Sequence, residues 1–259
     1  AVLLFALLPG RAAASESLVF FGTYTDAKSK GIYVSRFDST TGKLAAPQLA
    51  AEMQSPSFLA VHPNGRFLYA VGEAASVGDK HQGGVTAFAI HPAGKLRALN
   101  TQPSGGAGPC HLAVDAKGRF VFTANYGSGS VAALPILADG SLAAPAVTVQ
   151  HAGSSVNPQR QAGPHAHCVN LSPDQRFLLA CDLGLDKLMV YGVGEKAQAL
   201  VENDPPFVKL APGSGPRHLA FGHSGAFVYV VNEMGSSVTV LAYDAKHGTL
   251  NETQTTSTL

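Results

Sequence analysis

The chain has 259 residues, 46% of them hydrophobic and 14% charged, with a formal net charge of +1. That supplies enough apolar material for a large core and too little charge to draw a polyanion, which excludes nucleic acid as a partner. Its 28 glycines and 16 prolines are spread along the whole length, the pattern of many short strands joined by turns within one architectural unit.

At the front, the residues from Val2 to Leu8 are nearly all large and apolar and lead through Pro9, Gly10 and Arg11 into Ala12-Ala13-Ala14. This is the apolar region and small-residue cleavage site of an export signal. Residues 1–14 are therefore read as a signal peptide, clipped at its front because no initiator Met or basic segment precedes it. Residues 15–259 are read as a partial propeller domain, periplasmic or secreted, with C-terminal blades missing. A buried N-terminal strand is the alternative for the same apolar run. No stretch approaches twenty apolar residues, so membrane insertion is excluded.

A repeat follows. The turns Asn64-Gly65-Arg66-Phe67, Lys117-Gly118-Arg119-Phe120, Asp174-Gln175-Arg176-Phe177 and Ser224-Gly225-Ala226-Phe227 fall into register at a period of roughly fifty residues. A strand-like run precedes each turn (Phe58 to Val61, His111 to Val114, Cys168 to Leu171, His218 to Phe221), and another begins at each Phe. A third recurs at Gly84 to Ile90, Ser130 to Leu134, Lys187 to Tyr191 and Ser237 to Leu241, with an extra copy at Gly31 to Phe37. A turn and a Leu mostly come next, so each unit holds four short antiparallel strands. The expected fold is all-β: a propeller of four-stranded antiparallel blades, seven-bladed when complete, with about five blades present. Leu18 to Gly22 is read as the strand that closes the ring against a C-terminal blade, and the last residues, Thr255 to Leu259, as the opening of a further blade. A complete five-bladed ring is the alternative.

Positions that change chemistry between equivalent repeats are candidates for function. The residue before each first strand is Ser57, Cys110, His167 or Arg217, and the residue six after each aligned Phe is Glu73, Tyr126, Leu183 or Glu233. An antiparallel hairpin brings the start of its first strand to the end of its second, so Arg217 is expected beside Glu233, and all eight positions around one face. From Pro164 to Phe177 the third full unit is two residues longer than the others, in effect by His165-Ala166. A Pro-His-Ala-His element beside an Arg and two Glu positions is able to move protons and hold an anion. A structural reading also fits, with the histidines capping strand edges and Arg217-Glu233 a plain ion pair. His62, His111, His218 and His223 read as packing or turn residues. Cys110, Cys168 and Cys181 lack metal or redox spacing and read as free thiols, although Cys168 and Cys181 are placed to face each other across a hairpin. No G-x-S-x-G elbow, H-E-x-x-H or P-loop occurs.

Phe21-Gly22-Thr23-Tyr24-Thr25, Pro56-Ser57-Phe58-Leu59-Ala60, Gly163-Pro164-His165-Ala166-His167, Asp182-Leu183-Gly184-Leu185-Asp186 and Gly215-Pro216-Arg217-His218-Leu219 through Asn232-Glu233 together resemble the lactonase family of seven-bladed propellers. That family includes bacterial 6-phosphogluconolactonases and a fungal carboxy-muconate cyclase. The resemblance implies a monomer with a metal-independent, cofactor-free site on a propeller face. It assigns catalysis to His165 or His167 with Arg217 and Glu233, and a further Arg is expected beyond Leu259. Ser57, Glu73 and Tyr126 are the expected substrate-binding residues. The implied ligand is a small-molecule lactone or carboxylate, and the implied reaction is hydrolysis of a sugar lactone. Lactone closure of a muconate, or non-catalytic binding of a ligand or partner, are the alternatives.

Overall fold

The computed structural model describes residues 16–26, 28–77, 82–194 and 199–259; the export-signal reading of residues 1–14 lies outside them. Twenty strands, with no helix among the described residues, form five antiparallel sheets. The first sheet holds β1 (Glu16–Phe21), β2 (Gly31–Asp38), β3 (Lys43–Leu44) and β4 (Gln48–Glu52). The second runs β5 (Leu59–Val61), β6 (Phe67–Val77), β7 (Gln82–Ile90) and β8 (Leu96–Pro103), and the third β9 (Pro109–Val114), β10 (Phe120–Asn125), β11 (Ser130–Pro135) and β12 (Val147–Gln150). The fourth has β13 (Ala166–Leu171), β14 (Phe177–Asp182), β15 (Lys187–Gly192) and β16 (Val201–Lys209). The fifth has β17 (Pro216–Phe221), β18 (Phe227–Asn232), β19 (Ser237–Asp244) and β20 (Thr249–Ser257). Each is a blade; consecutive strands pair in the last four, whereas in the first β3 and β4 both pair with β2, and β5, β9, β13 and β17 neighbour one another around the hub.

The near-continuous apolar runs are explained by cover on both faces. Every residue of β10 and of β14 is buried, because a blade on either side packs against it. Separate apolar clusters fill the four interfaces between successive blades, such as Phe122, Val131, Leu178 and Tyr191 between the third and fourth. Each large side chain buried this way contributes about 1.5–3 kcal/mol. In the fourth blade Phe177, Leu179 and Cys181 are buried against the fifth; their counterparts Phe227, Tyr229 and Val231 in the fifth are 40–44% exposed. The ring of blades is open on that side.

At the two ends the structure adds one pairing and corrects one expectation. β1 pairs with β2 across the whole register from Glu16↔Asp38 to Phe21↔Tyr33, inside the first blade. It takes the second-strand place that β6 holds in the next blade, and no described strand occupies the hub position beside it. Thr255 to Ser257 do not open a new blade: they pair with Ser237 to Thr239 as the end of β20. A long outer strand fits there because only one of its edges needs a partner.

Candidate active site

The hub strands share a local irregularity that aims the candidate side chains. In the third blade Ala124 pairs with His111 but Asn125 pairs with Pro109, leaving Cys110 as an extra residue. In the fourth, Cys181 pairs with Cys168 and Asp182 with Ala166, leaving His167; in the fifth, Val231 pairs with His218 and Asn232 with Pro216, leaving Arg217. These are β-bulges, which bend a strand and redirect a side chain at the edge of a sheet. Beyond each bulge one backbone bond closes the hairpin: Glu73 N–H to Ser55 O (3.2 Å), Tyr126 N–H to Gly108 O (2.9 Å), Leu183 N–H to His165 O (3.0 Å) and Glu233 N–H to Gly215 O (2.8 Å).

That series corrects the expected insertion. His165-Ala166 stands where the other blades have Ser55-Pro56, Gly108-Pro109 and Gly215-Pro216, so the fourth hub strand has the same length as its neighbours. What differs is the type of residue, and Pro164 lies outside the repeat. Ser55, Gly108 and Gly215 take positive φ (41°, 59° and 60°), and His165 is not among the residues that do.

Six of the seven expected residues line one pocket of about 240 Å³ at this end of the hub: Ser57, Glu73, Tyr126, His167, Arg217 and Glu233. Tyr24, Phe58, Cys110, Arg160 and His218 complete its wall. His165 does not line it. Its ring stacks on Tyr126 with centroids 4.4 Å apart, and its Nδ1 donates to the Tyr126 carbonyl at 2.9 Å. Of the two candidate bases, His167 is therefore the one at the pocket. His218, expected as packing, also reaches it, whereas His111 is packing as expected: it is buried, with its ring 3.9 Å from that of Phe58. Tyr24 belongs to the quoted Gly22-Thr23-Tyr24-Thr25 motif, but only the fold brings it to the hub. Arg160 has no equivalent in other repeats, so the lattice argument had no position at which to find it.

Arg217 and Glu233 meet as the hairpin geometry predicts, with Nε 2.8 Å from Oε2. Arg160 Nη2 takes the other carboxylate oxygen at 2.6 Å. Partial burial acts to raise the Glu233 carboxyl, but the hydrogen bonds from Arg160 and Arg217 outweigh it and hold the group below its ordinary value. Burial, then the positive charge of Arg217 and then His218, push His167 from 6.5 down to about 4, so its ring is neutral at neutral pH. Burial and the neighbouring Glu73 raise the Tyr24 hydroxyl, and burial pushes the Cys110 thiol up. Three buried polar atoms on the pocket's residues have no hydrogen-bond partner: Ser57 Oγ, Glu73 Oε2 and His167 Nδ1.

Beneath the bulges lies one set of potential metal ligands among the described residues, His111, Cys168 and His218, with ligating atoms within 4.8 Å of one another. Hydrogen bonds already occupy much of it. Val169 N–H points to His111 Nδ1 at 3.4 Å, which places the ring proton on Nε2, 3.6 Å from Cys168 Sγ. Cys168 and Cys181 are cross-strand partners and both are free thiols. Burial acts to raise Cys168, but contacts from Cys181, His111 and His218 bring it well below the ordinary thiol value.

Bulged hub strands that converge on a polar, partly unsatisfied pocket define a β-propeller with a candidate site at one end of its hub. The chain belongs to the lactonase family of seven-bladed β-propellers, described as "Lactonase, 7-bladed beta-propeller", which matches residues 18–259. It is 37% identical over 241 residues to the 6-phosphogluconolactonase of Bacillus subtilis, covering 93% of this chain and 66% of that one. It is 32% identical over 230 residues to the 6-phosphogluconolactonase of Formosa agariphila, covering 86% and 64% respectively. Among solved structures, the periplasmic gluconolactonase PpgL of Pseudomonas aeruginosa superposes with a TM-score of 0.86 at 38% identity, over 94% of this chain and 68% of that one. The chain spans about two thirds of the length of the relatives it matches.

Proposed function

We propose that the protein hydrolyses a sugar lactone in the pocket at the end of the hub. The observation that carries this reading is the set of unpartnered buried atoms, Ser57 Oγ, Glu73 Oε2 and His167 Nδ1, within reach of two arginines. A buried polar group without a partner costs about 1–3 kcal/mol, a cost that a polyhydroxylated ligand removes on binding. The names of the Bacillus and Pseudomonas proteins support a lactone as that ligand.

In the proposed reaction His167, neutral in the empty pocket, accepts a proton from water as the water oxygen attacks the lactone carbonyl carbon. Arg217 faces the developing oxyanion, and Glu233 orients the guanidinium by holding Nε. Collapse of the tetrahedral species breaks the ring C–O bond, and the proton on His167 passes to the departing ring oxygen, giving the open hydroxy acid. Ser57, Glu73 and Tyr126 hold the sugar hydroxyls. No step in this scheme needs a metal or cofactor. The apolar segment at the front of the sequence and the periplasmic Pseudomonas relative support action outside the cytoplasm.

Glucono-1,5-lactone offered to the full-length protein, with acid release followed at constant pH, tests the reading. Turnover well above the spontaneous rate is expected, with His167→Gln lowering kcat about 100-fold or more. A rate equal to the spontaneous one, or a fully active His167→Gln variant, would rule it out.

A further inference from the structure

We propose that Arg160 selects lactones that carry an oxyanion, a phosphate or a carboxylate, by holding its guanidinium over the pocket from a fixed arm. The inference rests on the lactonase reading but makes a claim that can fail separately.

Arg160 stands on the segment from His151 to His165, between β12 and β13 and outside the repeat. An exposed arginine on an irregular segment is ordinarily a mobile surface charge. This segment is instead tied to the turn Asp182 to Asp186 at four points. His151 Nδ1 donates to Asp182 Oδ2 at 2.5 Å, and its Nε2 lies 2.8 Å from the Tyr191 hydroxyl, with all three side chains buried. Ser155 Oγ donates to Asp186 Oδ2 (2.6 Å), the wholly buried Gln161 donates through Nε2 to Leu183 O (2.9 Å), and the His165 N–H donates to Asp182 Oδ1 (2.8 Å). Within the arm, Asn157 Oδ1 accepts the Arg160 N–H at 3.0 Å, and Gln161 N–H bonds Asn157 O at 2.7 Å. The Asp182-Leu183-Gly184-Leu185-Asp186 motif thus serves as the anchor of the arm. Gly184 is required in it, since a Cβ there would lie 2.0 Å from Gly163 O.

The arm delivers more donor capacity than the protein uses. Arg160 contacts Glu233 Oε1 and the Tyr126 hydroxyl (3.4 Å) through Nη2 alone, and Arg217 contacts Glu233 through Nε alone. Their remaining N–H groups make no hydrogen bond to the described residues. Both guanidiniums, with side chains 46% and 42% exposed, share the Glu233 carboxylate, and Glu73 on the same wall makes no ion pair with either. Two planar forks around one shared anion form a receptor for a second, bidentate one. Hydrolysis needs a single guanidinium at the carbonyl, so Arg160 is left for a charged substituent elsewhere on the substrate.

The competing role is structural: Arg160 only holds Glu233. Kinetics of full-length wild type, Arg160→Gln and Arg160→Lys on glucono-1,5-lactone and its 6-phospho form separate the two, and a glucarolactone reports whether a carboxylate serves as well as a phosphate. Arg160→Gln is expected to raise KM for the charged lactones about 10- to 100-fold more than KM for the neutral one, with Arg160→Lys between. Equal losses on charged and neutral substrates overturn the proposal. Calorimetry with gluconate and 6-phosphogluconate runs alongside and needs no turnover. If wild type hydrolyses no lactone, the lactonase reading falls, and Arg160 is judged on binding alone. A wild-type preference for the phosphorylated acid that Arg160→Gln reduces tenfold or more supports the proposal. An unaltered ratio, or no wild-type preference, overturns it.

Discussion

Replacing Arg217 by Gln should raise the pKa of His167 while leaving the fold in place, because the Arg217 side chain is 42% exposed and its recorded hydrogen bond is to Glu233. His167 falls from 6.5 to about 4 through burial first, Arg217 second and His218 third. With burial the largest cause, removing Arg217 should recover only part of the drop, so the variant's midpoint should rise from about 4 without regaining 6.5. The direction follows from charge: a cation beside a titrating imidazole disfavours the imidazolium. An anion bound between the two arginines should act on wild type in the same sense, making His167 a stronger base once substrate is present. The assay is a pH titration of the imidazole carbon-bound protons by NMR, with His167→Gln identifying the resonance. A midpoint in Arg217→Gln that is unmoved from about 4, or lower, refutes the electrostatic argument and with it the proposed strengthening of the base by substrate.

The same ring gives a stability prediction. The unfolded chain binds a proton at His167 below about 6.5 and the folded one only below about 4, so stability rises with pH across that window and is lost as pH falls through it. His167→Gln should flatten the decline by about 3 kcal/mol in urea unfolding at pH 4 compared with pH 7, and an unchanged slope would contradict it. Asp182→Asn leaves the buried Nδ1–H of His151 without its carboxylate acceptor and should cost about 1–3 kcal/mol, read by the same urea midpoints. If the loss comes from that pair, adding His151→Asn should recover part of it; simple additivity would mean the pair is uncoupled. Dialysis against a chelator should leave lactone turnover unchanged. A loss restored by zinc would contradict the metal-free reaction and point to His111, Cys168 and His218.

The blades were legible because each aligned Phe follows a turn signal and each run beside it is apolar on both faces, the mark of a strand packed between neighbours. The pairing of Arg217 with Glu233 was legible for the same reason, since a hairpin's ends meet whatever their side chains. Three things were not. The placement of His165-Ala166 was obscured because the alignment followed prolines, and Pro164 lies outside the lattice; the hairpin-closing N–H of Leu183, bonded to His165 O, sets the true register. Arg160 belongs to a segment without repeats, so its position depends on long-range anchors such as Gln161 to Leu183 O. The pairing of β1 with β2 was missed because alternation and apolarity identify a strand but not the edges it joins.

The bulges explain why the variable chemistry collects at the hub. An extra residue in each hub strand gives the third, fourth and fifth blades a pair of adjacent side chains there: Cys110 with His111, His167 with Cys168, Arg217 with His218. Ser57 with Phe58 holds the equivalent place in the second blade. The first member of every pair lines the pocket, while the second members pack beneath it, with the ring centroids of His111 and His218 5.2 Å apart and Phe58 and His218 also reaching the wall. Backbone geometry is repeated from blade to blade, so exchanging a pocket-lining member alters the chemistry without disturbing strand pairing. The lower layer has no such freedom, because His111 accepts the Val169 N–H from the adjoining blade and Phe58 packs on His111. Functional diversity is therefore expected at Ser57, Cys110, His167 and Arg217, and rigidity one residue later in each strand.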